Sequence, residues 1–573
     1  MITPAFYYRQ KCKTITLVFI KLYIMKIFWT ALLCLSTIFQ AAKAQEFATV
    51  FKASQKYLVL PVKNGAPKHN MELWIDGEKE RYLNIELAEG DPDWFAYLDI
   101  SAWKGQDIEL RIDKWKGNFT VKQSDEDKNA LPLYKEKLRG QFHFSPKRGW
   151  TNDPNGMVYF NGEYHLFFQH NPYGREWGNM TWGHAVSKDM LHWKEVGDAL
   201  HPDKFGTMFS GSAIVDSFNT SGLGKGAMVM FFTGAGSWGQ GLAWSNDGRT
   251  FKKLDRTVVH RINKDNRDPK VIWHEPTKKW IMVLYVEREK EQHSMQFLTS
   301  PDLKNWTKSS VILGGIGNDR YLFECPEFFE LPVEGNPSEK KWILIAANSE
   351  YAIGTFDGIT FKPEAERLNG QHGRDFYASQ TFNNEPKGRR IEIGWWRTHT
   401  NKGDMNFNQA MSIPLELKLV STAQGLRLTR QPVKELESIR EKTFTIKPTR
   451  LKEGGTNPLS GIHAELLEIR TTIEAGKAKE ITLDIHGLPV VYDVSKQQLK
   501  IDGVNASAPL VNGKLDLILY VDRIGVEVFT ADGLLFMPVN VNIDTSKQSL
   551  SLSVKGGDAQ LRKMTVYELK STW

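Results

Sequence analysis

Apolar and polar residues alternate in short runs along most of the chain. Residues 46–135 hold five such runs: KYLVLPV, MELWIDG, RYLNIEL, WFAYLDI and DIELRID. A period of two, broken by turn residues, predicts the strands of a small β-sandwich. From about 430 onward a second series, HAELLEIRTTI, EITLDIHG, LDLILYV, GVEVFTAD and LSLSVKG, predicts another sandwich. QPVKELESIREK, 431–442, has helical spacing and reads as a linker.

The middle section repeats itself. SKDMLHW (187–193), SNDGRTF (245–251), SPDLKNW (300–306) and TFDGITF (355–361) share a hydroxyl residue, an Asp two later and an aromatic six later. Successive copies lie 58, 55 and 55 residues apart. The hydroxyl and the Asp can close a tight turn through side-chain to backbone hydrogen bonds, and the aromatic can plug the core below it. A period of this length with strand-like flanks predicts four-stranded blades around an axis, a β-propeller. The fold class is therefore all-β.

The repeat also locates candidate chemistry. Stepping back 34, 35, 32 and 31 residues from the four turn motifs lands on Asp153, Ser210, Asp268 and Glu324. Equivalent positions on innermost strands converge on the axis, so the three carboxylates are expected in one pocket. Like charges at close range disfavour full ionisation, so at least one of them should hold its proton. Two roles fit: binding a hard cation such as calcium, or hydrolysing a glycoside between a nucleophile and an acid. The 18 Trp favour sugar, because indole faces pack on sugar rings. Asp268 follows Arg267. Adjacent strand residues face opposite ways, so a bulge or a strand end is needed if both are to reach the pocket. Trp395 and Trp396 read as packing residues, and Glu327 as a supporting or surface group.

Charge and cysteines remove other classes. Six of the seven units of net charge come from residues 1–44, which hold six bases and no acid. Without them 68 bases face 67 acids, and no electrostatic case for nucleic acid remains. The same segment, with Lys26, an apolar stretch and Ala42-x-Ala44, reads as a signal peptide cut after Ala44. A retained anchor is the alternative, although Lys21 and Lys26 break the apolar run. Cys12 and Cys34 leave with the signal, and Cys325 then stands alone. The mature protein is expected in the periplasm or outside the cell with no membrane span. Nothing in the sequence indicates an oligomeric state.

WTNDPNG, FFQHNP, WGNMTWGHA, FSGS, RDPKV, ECPEFFEL and FYASQ, in this order between about 143 and 396, resemble glycoside hydrolase family 32, the invertases, inulinases and levanases. The resemblance implies a five-bladed propeller with a C-terminal sandwich and a retaining mechanism. The chain then divides into a signal peptide (1–44), an additional N-terminal sandwich-like module (45–135), the catalytic propeller (136–428) and the C-terminal sandwich (429–573). By the same resemblance Asp153 matches the nucleophile, Glu324 the general acid and base, and Asp268 the transition-state stabiliser. Asn152, Gln169, Trp177, Phe209, Ser210 and Arg267 match sugar-contact positions. No metal and no organic cofactor are implied. The departures at Thr151, Glu327 and Ser379 bear on substrate fit and leave the catalytic carboxylates in place. The expected substrate is a fructan, levan or inulin, attacked from its end, with sucrose as a smaller one. A fructosyltransferase using the same intermediate, or a non-catalytic carbohydrate-binding protein, are the alternatives.

Overall fold

The computed structural model describes residues 47–573 except 118, 129–132 and 403–404. The expected signal peptide, with Cys12 and Cys34, lies outside the described residues. The described chain is all-β, and within it no helix is long and apolar enough to cross a membrane.

The five alternating runs near the N-terminus form strands in two sheets. One has the order Phe47–Lys52, Asp107–Ile112, His69–Ile75, Glu78–Ile85; the other Trp94–Asp99, Tyr57–Val62, Gln123–Ser124. Every second residue points inward, as at Leu58, Leu60 and Val62. The two inner faces share one apolar core that includes Leu60, Leu73, Leu98 and Leu110.

Antiparallel four-stranded units follow. The first contains Gly149–Phe160, Glu163–Asn171, Thr181–Ser187 and Lys194–Leu200. The second and third begin with Met208–Asp216 and Asn266–His274. Two further sets, beginning with Glu327–Val333 and Phe376–Thr381, are joined in one nine-stranded sheet by a single parallel pair, Val333 with Leu419. First strands such as Asn266–His274 are buried almost throughout, because neighbouring sheets cover both faces.

Each repeated heptad sits in the turn between the third and fourth strands of its unit. Asp189 Oδ1 accepts the amides of Leu191 and His192 and the hydroxyl of Ser187. Asp247 and Asp302 make the same turn with Ser245 and Ser300, and Asp357 takes the amides of Ile359 and Thr360.

The first strands are stitched side by side. Gly211 N donates to Asn155 Oδ1, and Ser212 Oγ donates to the carbonyl of Pro269. Lys270 pairs with Glu327 at 2.7 Å, and Thr381 donates its amide and hydroxyl to Glu327. Asn383 N bonds Met157 O and Tyr159 N bonds Asn383 O, which returns to the first sheet. Glu327 is fully buried, so it is no surface group.

The predicted helical linker is a correction. Strand Gly425–Pro432 runs into it, and only Lys434–Ile439 coils, as a 3-10 helix. Pro432 and the three-residue spacing of buried Leu436 and Ile439 favour that tighter turn. The remaining strands form two packed sheets around a core that includes Ile469, Leu483, Leu519 and Val554. His143 is clamped between this sandwich's Asp522 and Glu527, at 2.8 Å from each.

Candidate active site

The first strands bulge at matching depths. The register shifts between Thr151 and Pro154, between Phe209 and Gly211, between Arg267 and Lys270, and between Tyr377 and Gln380. A bulge re-aims a side chain out of the pleat. Here it turns Asp153, Ser210 and Asp268 toward a common hollow. Gly211 permits one of these bends, since a Cβ there would lie 1.9 Å from the carbonyl of Phe231. Asp268 has φ 64, and Arg267 beside it also reaches the hollow. Glu324 comes from the turn before Glu327–Val333, with φ 44, and Cys325 after it has φ 45. Left-handed backbone at three non-glycine residues of one site is strain of a kind found where geometry serves function.

The hollow is a pocket of about 440 Å³, within the range that small ligands occupy. All nine residues expected from the sequence line it: Asn152, Asp153, Gln169, Trp177, Phe209, Ser210, Arg267, Asp268 and Glu324. Trp238, Tyr377, Trp395 and Arg397 line it too. Trp395 corrects the packing assignment. Trp396, on the opposite face of the strand, is fully buried, whereas Trp395 stands edge-on to Trp150 at 5.9 Å on the pocket wall. Tyr377 is not among the residues expected from the sequence, although it lies in the FYASQ motif, which could have marked it. Trp238 and Arg397 lie in loops outside any repeat and left no signal.

Asp153 is held on both oxygens. Ser210 Oγ donates to Oδ2 at 2.6 Å and Asn152 Nδ2 to Oδ1 at 3.0 Å. Burial raises the Asp153 pKa, the charge of Glu324 adds to this, and the two donors work against it. Asp268 accepts the amide of Cys325 at 3.0 Å. Burial pushes the Asp268 carboxyl up to about 7; Arg267 pulls it down, and Glu324 and Asp153 push it further up. Cys325 Sγ lies 3.6 Å from Asp153 Oδ2 and 3.5 Å from Asp268 Oδ2.

The charge of this cluster is offset in part by Arg267. Arg267 donates to Glu324 Oε2 and also pairs with Asp265. Burial opposes the guanidinium charge, but Asp268, Glu324 and Asp265 outweigh it and hold the proton more firmly. Tyr377 OH donates to Glu324 Oε1 at 2.5 Å. Among the described residues no group of three or more His, Cys, Asp or Glu is arranged to hold a metal ion. The arrangement suits two carboxylates acting on one bond, with a third at hand and aromatic walls for a sugar.

Residues 143–432 match the family model for the glycosyl hydrolases family 32 N-terminal domain, and residues 435–568 match that for the glycosyl hydrolases family 32 C terminal. The chain is 38% identical over 489 residues to a levanase of Bacillus subtilis, covering 77% of this chain and 72% of the levanase. It is 30% identical over 522 residues to an extracellular exo-inulinase of Aspergillus awamori, covering 77% and 96%. The crystal structure of exo-inulinase from A. awamori superimposes with a TM-score of 0.69 over 77% of this chain and all of that one. A fructofuranosidase of Schwanniomyces occidentalis complexed with fructosylnystose, 25% identical, gives 0.68 over 78% and 100%.

Proposed function

The chain belongs to glycosyl hydrolase family 32 and is a glycoside hydrolase of the fructan-cleaving kind; we propose that it releases fructose from the ends of levan or inulin with retention of configuration. The observation that carries this is the meeting of Asp153 and Asp268, from two different sheets, and Glu324, from the turn leading into a third, around Cys325 and Arg267.

Asp153 attacks the anomeric carbon of the terminal fructosyl unit. Ser210 and Asn152 aim its oxygens and leave a lone pair free. The glycosidic C–O bond breaks, and Glu324 gives its proton to the departing oxygen. Asp268 accepts hydrogen bonds from fructose hydroxyls while the ring carries positive charge. Water then attacks the fructosyl ester, Glu324 takes its proton, and the Asp153 carboxylate is restored. The side walls at Trp177, Trp238 and Trp395 favour a chain end over a chain middle. The side-by-side bonds of the first strands support five blades, and the shared core of the two N-terminal sheets supports a sandwich-like module. Export fits the basic, apolar N-terminus and the extracellular relatives.

The test is a time course of products from levan and inulin. Fructose alone is expected from the start, and Asp153→Asn should abolish it. Glu324→Gln should lower kcat by about 10²–10⁴-fold, as loss of a general acid does. A ladder of oligosaccharides would replace the exo reading by an endo one. Transfer products at high sucrose would point to the transferase, and no release at all to a binding protein.

A further inference from the structure

The loop 172–180, between strands Glu163–Asn171 and Thr181–Ser187, carries Trp177 to the mouth of the pocket. Trp177 is 55% exposed, and its ring meets Phe209 edge-on at 6.0 Å. So little packing does not fix an indole. Its position must come from the anchors of the loop: some lie in its own sheet, where Asn171 Nδ2 donates to Glu176 O at 2.8 Å and Asn179 Nδ2 reaches Asn171 Oδ1 at 3.0 Å, and others lie in the N-terminal sheets and the turn at Asn64.

Strand Glu78–Ile85 is the outer strand of its sheet, so alternate backbone groups point away from the ladder. The Asn179 side chain takes both such groups of Asn84. Asn84 N donates to Asn179 Oδ1 at 2.7 Å, and Asn179 Nδ2 donates to Asn84 O at 2.7 Å. The carboxamide thus continues the sheet by one residue. Only an amide offers a donor and an acceptor in that fork. Asn179 itself has φ 48, a conformation Asn tolerates. On the other side of Trp177, Arg175 Nε donates to Asn64 Oδ1 at 3.1 Å, and Arg175 Nη1 donates to Met405 O at 2.7 Å. Tyr173 is buried in the apolar core of the N-terminal sheets.

We propose that the N-terminal sheets are part of the substrate-binding apparatus: through the pairing of Asn179 with the Asn84 backbone, and of Arg175 with Asn64, they set the position of Trp177 at the pocket mouth. Asn179 and Asn64 are positioning residues for an aromatic that meets the fructan chain. This rests on reading the pocket as the fructan site.

The experiment compares Asn179→Ala and Asn64→Ala in the full chain, each with and without Trp177→Ala, using levan and inulin. Each single variant should raise KM about three- to tenfold, the weight of one or two hydrogen bonds, with kcat within about twofold. In the Trp177→Ala background neither should raise KM further, because the residue they act through is gone. A merely structural brace predicts the opposite: an unchanged KM in the single variants, or an increase that persists without Trp177. Either result overturns the proposal. If Asn179→Ala fails to fold, Asn64→Ala decides. Wild-type protein that releases no fructose removes the functional reading instead, and is distinguishable from active protein whose KM ignores Asn179.

Discussion

Arg267 and Glu324 share a forked hydrogen bond: Nε and Nη2 of the guanidinium donate to one carboxylate oxygen, Oε2, at 3.1 and 2.7 Å. With Tyr377 on Oε1, the carboxyl group is fixed in plane and direction before any substrate arrives. Arg267→Gln removes the fork and the charge. We expect kcat/KM to fall on the order of 10²–10³-fold, the usual effect of losing an oriented donor in a site of this kind. Steady-state kinetics on levan oligosaccharides check it, and a loss under fivefold would show that the fork is dispensable.

The acid limb of the pH profile should belong to the carboxylate cluster. Asp153 must be ionised to attack, and its pKa is raised by burial. Asp268 stands at about 7 for the same reason, with the other carboxylates adding to it. Activity therefore rises with pH toward neutrality as the cluster ionises, and the limb reports the cluster, not one residue. Arg267 lowers the Asp268 value, so in Arg267→Gln the limb should move to higher pH. A limb that stays in place would remove this assignment.

Cys325 should be inert while the protein is folded. It is buried, and burial together with Asp268, Asp153 and Glu324 holds its thiol pKa well above the ordinary value. The thiolate is the reacting species, so iodoacetamide at pH 8 should leave the native Cys325 peptide unmodified and label it in urea. Mass spectrometry of the digest reads the outcome.

Gly211→Ala should damage both stability and activity. The added methyl would lie 1.9 Å from Phe231 O, so the bulge that presents Ser210 to Asp153 must shift. Overpacking of this kind costs about 1–3 kcal/mol or more. A lower thermal midpoint with weaker fructose release is expected; an unchanged protein would mean the bend has room to relax.

His143 joins the segment before the first sheet of the repeat to the C-terminal sandwich. Burial opposes its charge, but hydrogen bonds to Asp522 and Glu527 raise its pKa to about 9. A raised histidine stabilises fully below its unfolded value, about 6.5. That contribution is lost as pH climbs through the folded value. Melting temperature at constant scan rate should fall between pH 6.5 and 9. His143→Ala leaves two buried carboxylates without their cation and should cost about 3–5 kcal/mol.

Much of the site was legible because the repeat carries depth as well as period. Each heptad turn depends on a local Asp, joined in three of the four by a hydroxyl as at Ser187 and Asp189, and so counts residues back over three strands. That count reached Asp153, Ser210, Asp268 and Glu324 without any knowledge of how the sheets pack. Trp238 and Arg397 escaped it because they sit in loops whose paths no strand period describes. Trp395 escaped because the two indoles of Trp395-Trp396 look alike in one dimension. The helical spacing of 431–442 misled because the same three- and four-residue steps also describe a short 3-10 turn between strands.

The linear order of residues alone settled the all-β class, the recurrence of sheets and the identity of the acids, since alternation and turn chemistry are local. The tertiary structure alone decided that bulges aim those acids inward, that Arg267 reaches Glu324, and that Asn179 ties the mouth of the pocket to a distant strand. These are contacts between elements 57 to 95 residues apart. Their geometry depends on how whole sheets pack against one another, and no local pattern records it.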